Sequence, residues 1–193
     1  MKFLLVFLMT INLAWAANVP AKFNVVFKTS KGEFTLGVEK KNAPIGVERF
    51  YDLVQKKYYN NVKFFRVVKG FVVQFGIAAD PKDSKKWSNA NIKDDPVLLS
   101  NTEGTISFAT AGPNTRTTQL FINLDNNSNL DRMGFSAFGK VEKGMDVVKA
   151  LYGEYGEEPT PEQGSIERLG NKFLDAKYPK LDYIIEAKIV EVK

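Results

Sequence analysis

The stretch FFRVVKGFVVQFG, residues 64–76, reads as two short apolar strands, yet each strand carries one strongly polar side chain, Arg66 and Gln74. Lys69 and Gly70 mark the turn between them. A three-residue loop at 69–71 would use Gly70 for backbone angles that other residues rarely adopt. This stretch therefore predicts an antiparallel hairpin in which Arg66 and Gln74 lie directly opposite each other.

The predicted register gives the hairpin one apolar face and one mixed face. Opposed side chains lie about 4.5–5.5 Å apart at Cβ, so the Gln74 side-chain oxygen can accept from Arg66 and hold its guanidinium in one orientation. An arginine that is simply solvated would fit the same pattern, so these residues alone leave its role open. We expect the apolar face to pack in the core through two cross-strand pairs, Phe65 with Phe75 and Val67 with Val73.

Short strand patterns separated by turns occur along the rest of the chain. Residues 23–38 alternate about a turn at 30–32, which predicts a second hairpin. Helical spacing follows Asn42-Ala43-Pro44 through residues 46–58, and again in residues 142–153. The pattern favours a closed β-barrel capped by helices, and it does not fix the number of strands. Further strands are expected within 104–110, 119–124, 136–141 and 182–192.

Two other segments stand out. Residues 77–96 form a polar stretch that is long for a structureless connection and indicates a functional loop or an insertion. We expect Trp87 within it to anchor a lid on the core, with ligand stacking as the alternative. The region 156–182 combines a polar loop with a weak helical pattern of Ile166, Leu169 and Phe173.

The first sixteen residues, MKFLLVFLMTINLAWA, have one basic residue, a short apolar run and a final Ala-Trp-Ala. This pattern predicts a signal peptide at 1–16 that is cleaved after Ala16. An uncleaved N-terminal anchor is the alternative. We expect one domain at 17–193, periplasmic, with no membrane association after cleavage.

Composition excludes several chemistries. The sequence has no cysteine and no histidine, so it can form neither a Ser-His-Asp triad nor a zinc site of the usual ligands. The net charge is +5, but basic residues are scattered rather than clustered, which argues against a nucleic-acid partner. We expect no cofactor and no metal, and a monomer.

The segment 125–131 begins like a calcium loop but lacks the turn glycine and the closing glutamate.

FFRVVKGFVVQFG resembles a strand-turn-strand signature of the cyclophilins, a family of peptidyl-prolyl cis-trans isomerases. GTISFATAGPNTRTTQLFINL resembles the family's second signature, and NLDRMGFSAFGKV its third, in the family's order and spacing. The resemblance spans about residues 23–193 and is greatest to the bacterial exported members. It implies a mainly β fold: a closed, eight-stranded antiparallel barrel capped by two α-helices, with an extra C-terminal helical segment here.

The resemblance also implies a site. The family's catalytic arginine falls on Arg66, with Gln74 as its supporting residue. The proline pocket falls on Phe71, Val72, Phe121 and Leu130, with Phe135 at its rim. The peptide groove falls on Ala109, Thr110 and Gln119.

Three positions depart from the usual family pattern. Val72 is shorter than the common methionine, which implies a shallower pocket floor. Phe135 replaces a frequent histidine. Asn129 stands where cyclosporin-sensitive members carry tryptophan, so we expect weak inhibition by cyclosporin.

The expected function is acceleration of X-Pro bond rotation in exported proteins during folding, with proline-containing segments of incompletely folded proteins as partners. A periplasmic chaperone, or a proline-peptide binding module with little turnover, is the alternative. The pairing of Arg66 with Gln74 favours catalysis, since a binder needs only the pocket. A lipocalin-like carrier conflicts with the bulky residues expected inside the barrel.

Overall fold

The computed structural model describes residues 19–190. The predicted signal peptide at 1–16 lies outside the described residues. Within 19–190, none of the helices is long and apolar enough to cross a membrane.

In the described part of the chain, eight strands form a single antiparallel sheet. The predicted hairpins appear as β1 with β2 and β3 with β4, joined by turns at 30–31 and 69–71. The strand order across the sheet is β3-β4-β6-β5-β7-β2-β1-β8. The strands are β1 (Lys22–Thr29), β2 (Gly32–Glu39), β3 (Arg66–Val68), β4 (Val72–Phe75), β5 (Thr105–Phe108), β6 (Leu120–Asn123), β7 (Ala137–Lys143) and β8 (Ile184–Val190).

The sheet curls into a half-barrel but does not close, so the expected closed barrel is wrong. Its edges are β3 and β8, and the described strands show no ladder between them. The chain before β3 meets the start of β8 through an isolated bridge between Lys63 and Tyr183. The Phe64 N–H also donates to the Asp182 carbonyl at 3.0 Å. Because β3 is only three residues long, its edge offers too few backbone groups for full pairing.

Residues 19–190 also contain five α-helices. The main core is the buried cluster that contains Phe27 and Phe75 from the strands. Phe50 of α1 and Val148 of α3 enter it, as expected for two capping helices. The predicted helical tail is present as α4 and α5, which are separated at Gly170. The helices are α1 (Pro44–Gln55), α2 (Pro81–Trp87), α3 (Met145–Lys149), α4 (Gln163–Leu169) and α5 (Asn171–Lys177).

Helix α1 begins at the predicted proline, but a distant carboxylate binds its N-terminus. Asp95 accepts from the backbone N–H groups of Ile45 at 2.9 Å and Gly46 at 2.8 Å. These groups have no partner within the helix, and an anion there is also favoured by the helix dipole. Arg116 in turn donates to Asp95 at 3.0 Å. The segment 78–99 thus contributes a cap to α1.

The same segment is partly helical rather than a plain loop. Asp80 caps α2 by accepting from the Lys82 N–H at 2.8 Å. Trp87, the last residue of α2, packs against the main core, with its ring 6.1 Å from that of Tyr58. The expected anchoring of Trp87 on the core is therefore confirmed.

The main core takes alternate residues from the strands, as the sequence period predicts. Phe64 belongs to it, with its ring 5.3 Å from that of Phe75. Phe65 instead belongs to a second cluster under the C-terminal helices. The expected core pair of Phe65 and Phe75 is wrong because the ladder between β3 and β4 starts only at Arg66.

The second cluster fixes the tail beside the hairpin. Its buried members include Phe65, Ile166 and Tyr178. Gly170 adopts φ +62°, and a Cβ there would lie 2.2 Å from the Ala79 carbonyl oxygen. A larger residue would push α4 and α5 away from the segment after β4. Leu169, which the pattern grouped with Ile166 and Phe173, is exposed because the helix ends at this break.

Candidate active site

The predicted pair of Arg66 and Gln74 is present. The two residues are directly opposed in the β3–β4 ladder, and Arg66 Nη1 donates to Gln74 Oε1 at 3.0 Å. Gly70 in the connecting turn has φ +74°, the left-handed conformation that glycine tolerates best. The turn chemistry therefore sets the register, and the register sets the side-chain contact.

A cavity of about 140 Å³ lies on the mixed face of this hairpin. It brings together residues from β3, β4, the segment after β5, β6 and the 3-10 helix Ser128–Met133. Nine of the predicted site residues line it: Arg66, Phe71, Val72, Gln74, Ala109, Thr110, Phe121, Leu130 and Phe135.

The floor of the cavity is apolar. Val72, Phe121 and Leu130 are buried together as a cluster, and Phe71, Ala109 and Phe135 pack against it. The ring of Phe135 meets the ring of Phe121 edge-on at 5.4 Å. These side chains provide a small water-excluding surface beside a charged guanidinium. Asn129, next to Leu130, is exposed.

A buried amide network supports this floor, and sequence reasoning missed it. Asn127 Nδ2 donates to the Phe71 carbonyl at 2.8 Å and to Asn123 Oδ1 at 2.8 Å. Asn101 Nδ2 donates to the Phe135 carbonyl at 2.7 Å and to Asp131 at 2.7 Å. Phe71 and Phe135 are thus held by their backbones. Of these asparagines, only Asn127 lies in the segment 125–131, whose pattern did not indicate a contact with Phe71.

Asp131 closes this network as an ionised carboxylate. Burial raises the pKa of Asp131, but hydrogen bonds from Ser100 and Asn101 outweigh that effect and lower it. The carboxylate therefore stays an acceptor at neutral pH and holds the chain beside Leu130.

Gln119 is the one predicted site residue that lies outside the cavity. It lines an adjoining groove that shares Gln74, Ala109 and Thr110 with the cavity. Gln74 Nε2 donates to Gln119 Oε1 at 2.9 Å, and Gln119 Nε2 donates to Gln163 Oε1 at 3.0 Å. Gln119 therefore reaches Arg66 through Gln74. A hydrogen-bonded chain runs from the arginine to helix α4.

Arg66 has a further partner that sequence reasoning also missed. Its Nε donates to Glu157 Oε2 at 2.9 Å, and its Nη2 donates to Glu157 Oε1 at 2.7 Å. These hydrogen bonds lower the pKa of Glu157, so the carboxylate is ionised at neutral pH. The guanidinium carbon also lies 5.4 Å from the centre of the Phe71 ring. No local pattern pointed to Glu157, which lies 91 residues further along the chain.

The arrangement is a fixed cation beside a small apolar cleft that opens onto a polar groove. It can bind an apolar ring and present N–H donors to a neighbouring atom. Among residues 19–190, no cluster of three or more His, Cys, Asp and Glu residues is placed to hold a metal ion.

An eight-stranded, helix-capped half-barrel that presents an arginine beside an apolar cleft defines a cyclophilin-like protein. Residues 24–171 match the family model described as cyclophilin type peptidyl-prolyl cis-trans isomerase/CLD. The chain belongs to this family and is a peptidyl-prolyl cis-trans isomerase.

Comparison with individual relatives supports the same family assignment. Peptidyl-prolyl cis-trans isomerase A of Dickeya dadantii is 38% identical over 135 residues, which cover 66% of this chain and 70% of the relative. Peptidyl-prolyl cis-trans isomerase B of Escherichia coli is 31% identical over 175 residues, which cover 86% of this chain and 98% of the relative. The crystal structure of a cyclophilin type isomerase from Cryptosporidium parvum is similar, with a TM-score of 0.67. It is 21% identical, and the match covers 89% of this chain and 99% of that one, which shows the likeness in fold.

Proposed function

We propose that Arg66 is the catalytic residue of the isomerase and that the 140 Å³ cavity binds the proline ring. One observation carries the assignment: Arg66 lines an apolar cavity while Gln74 holds its guanidinium. Phe71, Val72, Phe121 and Leu130 form the ring pocket, and Phe135 borders it. Because these residues come from four different segments, their convergence is a property of the fold.

The reaction needs neither a nucleophile nor a proton transfer. Rotation about a peptide bond is opposed by about 18–20 kcal/mol, because the nitrogen shares its lone pair with the carbonyl. In the twisted amide that lone pair becomes localised and can accept a hydrogen bond. A donor that is fixed before the substrate arrives stabilises the twisted state more than the planar ones.

Arg66 retains donors for this task. A guanidinium has five N–H groups. Three are engaged, one by Gln74 and two by Glu157, which leaves two. A guanidinium is also permanently charged and rigidly forked, so its remaining donors keep a defined direction.

The substrate chain lies, in this proposal, along the groove beside the cavity. Ala109, Thr110 and Gln119 line that groove. Thr110 Oγ1 is 2.8 Å from Thr115 Oγ1, which fixes the local backbone for pairing with an extended peptide. The ligands are proline-containing segments of unfolded or partly folded proteins.

A catalysed refolding assay tests this function. With a substrate protein whose slow phase is limited by proline isomerisation, substoichiometric enzyme should accelerate that phase. Arg66→Ala should lose about 100-fold or more of the rate enhancement and keep its circular dichroism spectrum. Lys28→Ala, which removes an exposed positive charge from β1, should behave as wild type. Near-normal turnover by Arg66→Ala would remove Arg66 from the mechanism, and a stoichiometric requirement would indicate a holdase.

We also propose that the enzyme acts on exported proteins in the periplasm. The support is the signal-peptide pattern of residues 1–16. N-terminal sequencing of the protein recovered from a periplasmic extract should begin at Ala17. Recovery of the chain in the cytoplasm with an intact Met1 would refute this assignment.

A further inference from the structure

The ion pair between Arg66 and Glu157 links the cavity to the C-terminal part of the chain. The Glu157 carboxylate accepts one hydrogen bond from Arg66 Nε at 2.9 Å and one from Nη2 at 2.7 Å, along one edge of the guanidinium. Such side-on, two-point pairing fixes the plane of the guanidinium as well as its position. The Arg66 side chain is 20% exposed and that of Glu157 is 56% exposed.

Glu157 binds the arginine without entering the cavity. Arg66 and Gln74 both line that space, whereas Glu157 is not among its lining residues. A carboxylate that competed with the substrate would have to occupy the cavity. Glu157 instead lies outside the lining of the cavity, so it does not fill the space in which we place the proline ring.

The segment that carries Glu157 is itself held in place. The ring of Tyr155 meets that of Tyr178 edge-on at 5.1 Å, and the Tyr178 hydroxyl donates to the Glu158 carbonyl at 3.3 Å. Thr160 Oγ1 donates to Glu157 Oε2 at 3.0 Å. Because packing fixes the backbone and Thr160 fixes the carboxylate, Glu157 can impose an orientation on Arg66.

The same part of the chain reaches the arginine by a second route. Gln163, at the start of α4, accepts from Gln119, which accepts from Gln74, and Gln74 accepts from Arg66. The guanidinium is thus bound on two sides, by Glu157 directly and by Gln163 through two glutamines. Both routes end between residues 157 and 163.

We propose that Glu157 is a positioning residue, which acts on the reaction through Arg66 by fixing the guanidinium before the substrate binds. This inference rests on the proposed role of Arg66. An arginine side chain has many rotamers, so one with fewer fixed partners would have to be ordered during the reaction. The contribution is therefore to kcat, while the apolar pocket that sets substrate affinity is unchanged.

The test compares two glutamates of the same segment. Glu154 pairs with Lys69 in the hairpin turn at 2.8 Å, away from the cavity, and is exposed like Glu157. In full-chain protein, Glu157→Ala should lower kcat by about 3- to 10-fold with KM nearly unchanged, and Glu157→Gln, which keeps one acceptor, should lie between it and wild type. Glu154→Ala should keep wild-type kcat and KM.

A spectroscopic measurement separates positioning from a general structural effect. The Arg66 Nε–H resonance, assigned by its absence in Arg66→Ala, should be sharp in wild type and Glu154→Ala and shifted or broadened in Glu157→Ala. Unchanged kcat in Glu157→Ala, equal losses in Glu157→Ala and Glu154→Ala, or a rise in activity on removal of Glu157 would each overturn the inference. If Arg66→Ala itself retains turnover, the proposed catalytic role of Arg66 is wrong, and the inference that Glu157 acts through Arg66 is overturned with it.

Discussion

Arg66 and Arg116 each pair with carboxylates, but they do so in opposite surroundings. Arg66 lines an open cavity and is 20% exposed, whereas the side chain of Arg116 is 4% exposed and lies over the Phe108 ring. Arg116 donates to the Lys93 carbonyl and to Asp95, which is also buried. Arg66 is therefore held beside an open cavity, whereas Arg116 is enclosed, and its Nε and Nη1 atoms have no hydrogen-bond partner within residues 19–190.

The difference shows how one side-chain type serves two purposes. A buried arginine must be paired, since an uncompensated charge in the interior is costly. Arg116 does this by orienting Asp95 against the N-terminus of α1. Arg66 does not need a carboxylate partner to compensate its charge, because its side chain is partly exposed to water. Its two partners are therefore better explained by orientation than by charge compensation.

The largest effect should come from breaking the buried pair. Asp95→Ala leaves Arg116 without its buried carboxylate and removes the acceptor of two N–H groups of α1. We expect a loss of about 3–5 kcal/mol in the free energy of unfolding, measured by urea denaturation. Asp94, which lies 3.3 Å from Arg116 but is 37% exposed, provides the control. Asp94→Ala should cost about 1 kcal/mol or less, and equal losses at both positions would contradict the distinction.

The second-largest effect is expected when Arg66 and Arg116 are each replaced by lysine, in separate variants. Lysine keeps the charge but cannot reproduce the planar fork. Arg66→Lys should lower kcat/KM by about 10- to 100-fold and leave the urea midpoint nearly unchanged. Arg116→Lys should lower the midpoint and leave the kcat/KM of the folded protein nearly unchanged. If both variants lose stability and activity together, the two arginines do not have separate purposes.

The contacts of Arg66 could be predicted from the sequence to the extent that they are local. The pairing with Gln74 follows from Gly70 and from strand alternation, because both partners lie in one hairpin. The resemblance then placed the apolar cavity residues. Glu157 could not be found, since it belongs to a polar loop without a period and reaches Arg66 only after the tail has packed.

The same reasoning explains where the fold differs from the expectation. The segments expected to form strands overlap with all eight strands of the described sheet. Closure, however, depends on the paired length of β3, which the apolar pattern overstated at Phe65. The start of α1 was marked by Pro44, whereas its cap came from Asp95, which lies 50 residues beyond Ile45, one of the residues whose N–H it accepts from. Most of the features that the sequence did not predict depend on contacts between segments that are distant along the chain.

The smallest predicted effect concerns the hydrogen bond from Arg66 to Gln74. It tests whether this contact also orients the guanidinium. Leucine is close to glutamine in size, so Gln74→Leu should keep the packing while removing the acceptor from Arg66. We expect kcat to fall by about 3- to 10-fold, with KM nearly unchanged, in a peptide isomerisation assay. Gln163→Leu, at the far end of the chain of amides, should change kcat by less than about twofold.

The variant Gln119→Leu tests the role of Gln119, the middle member of the hydrogen-bonded chain of three glutamines. If Gln119 serves only to orient Gln74, its replacement should lower kcat by less than Gln74→Leu does and leave KM unchanged. A rise in KM would mean that Gln119 contacts the peptide in the groove. A fall in kcat larger than that of Gln74→Leu would contradict a relay that ends on Arg66, because an effect passed along hydrogen bonds should weaken with each added step.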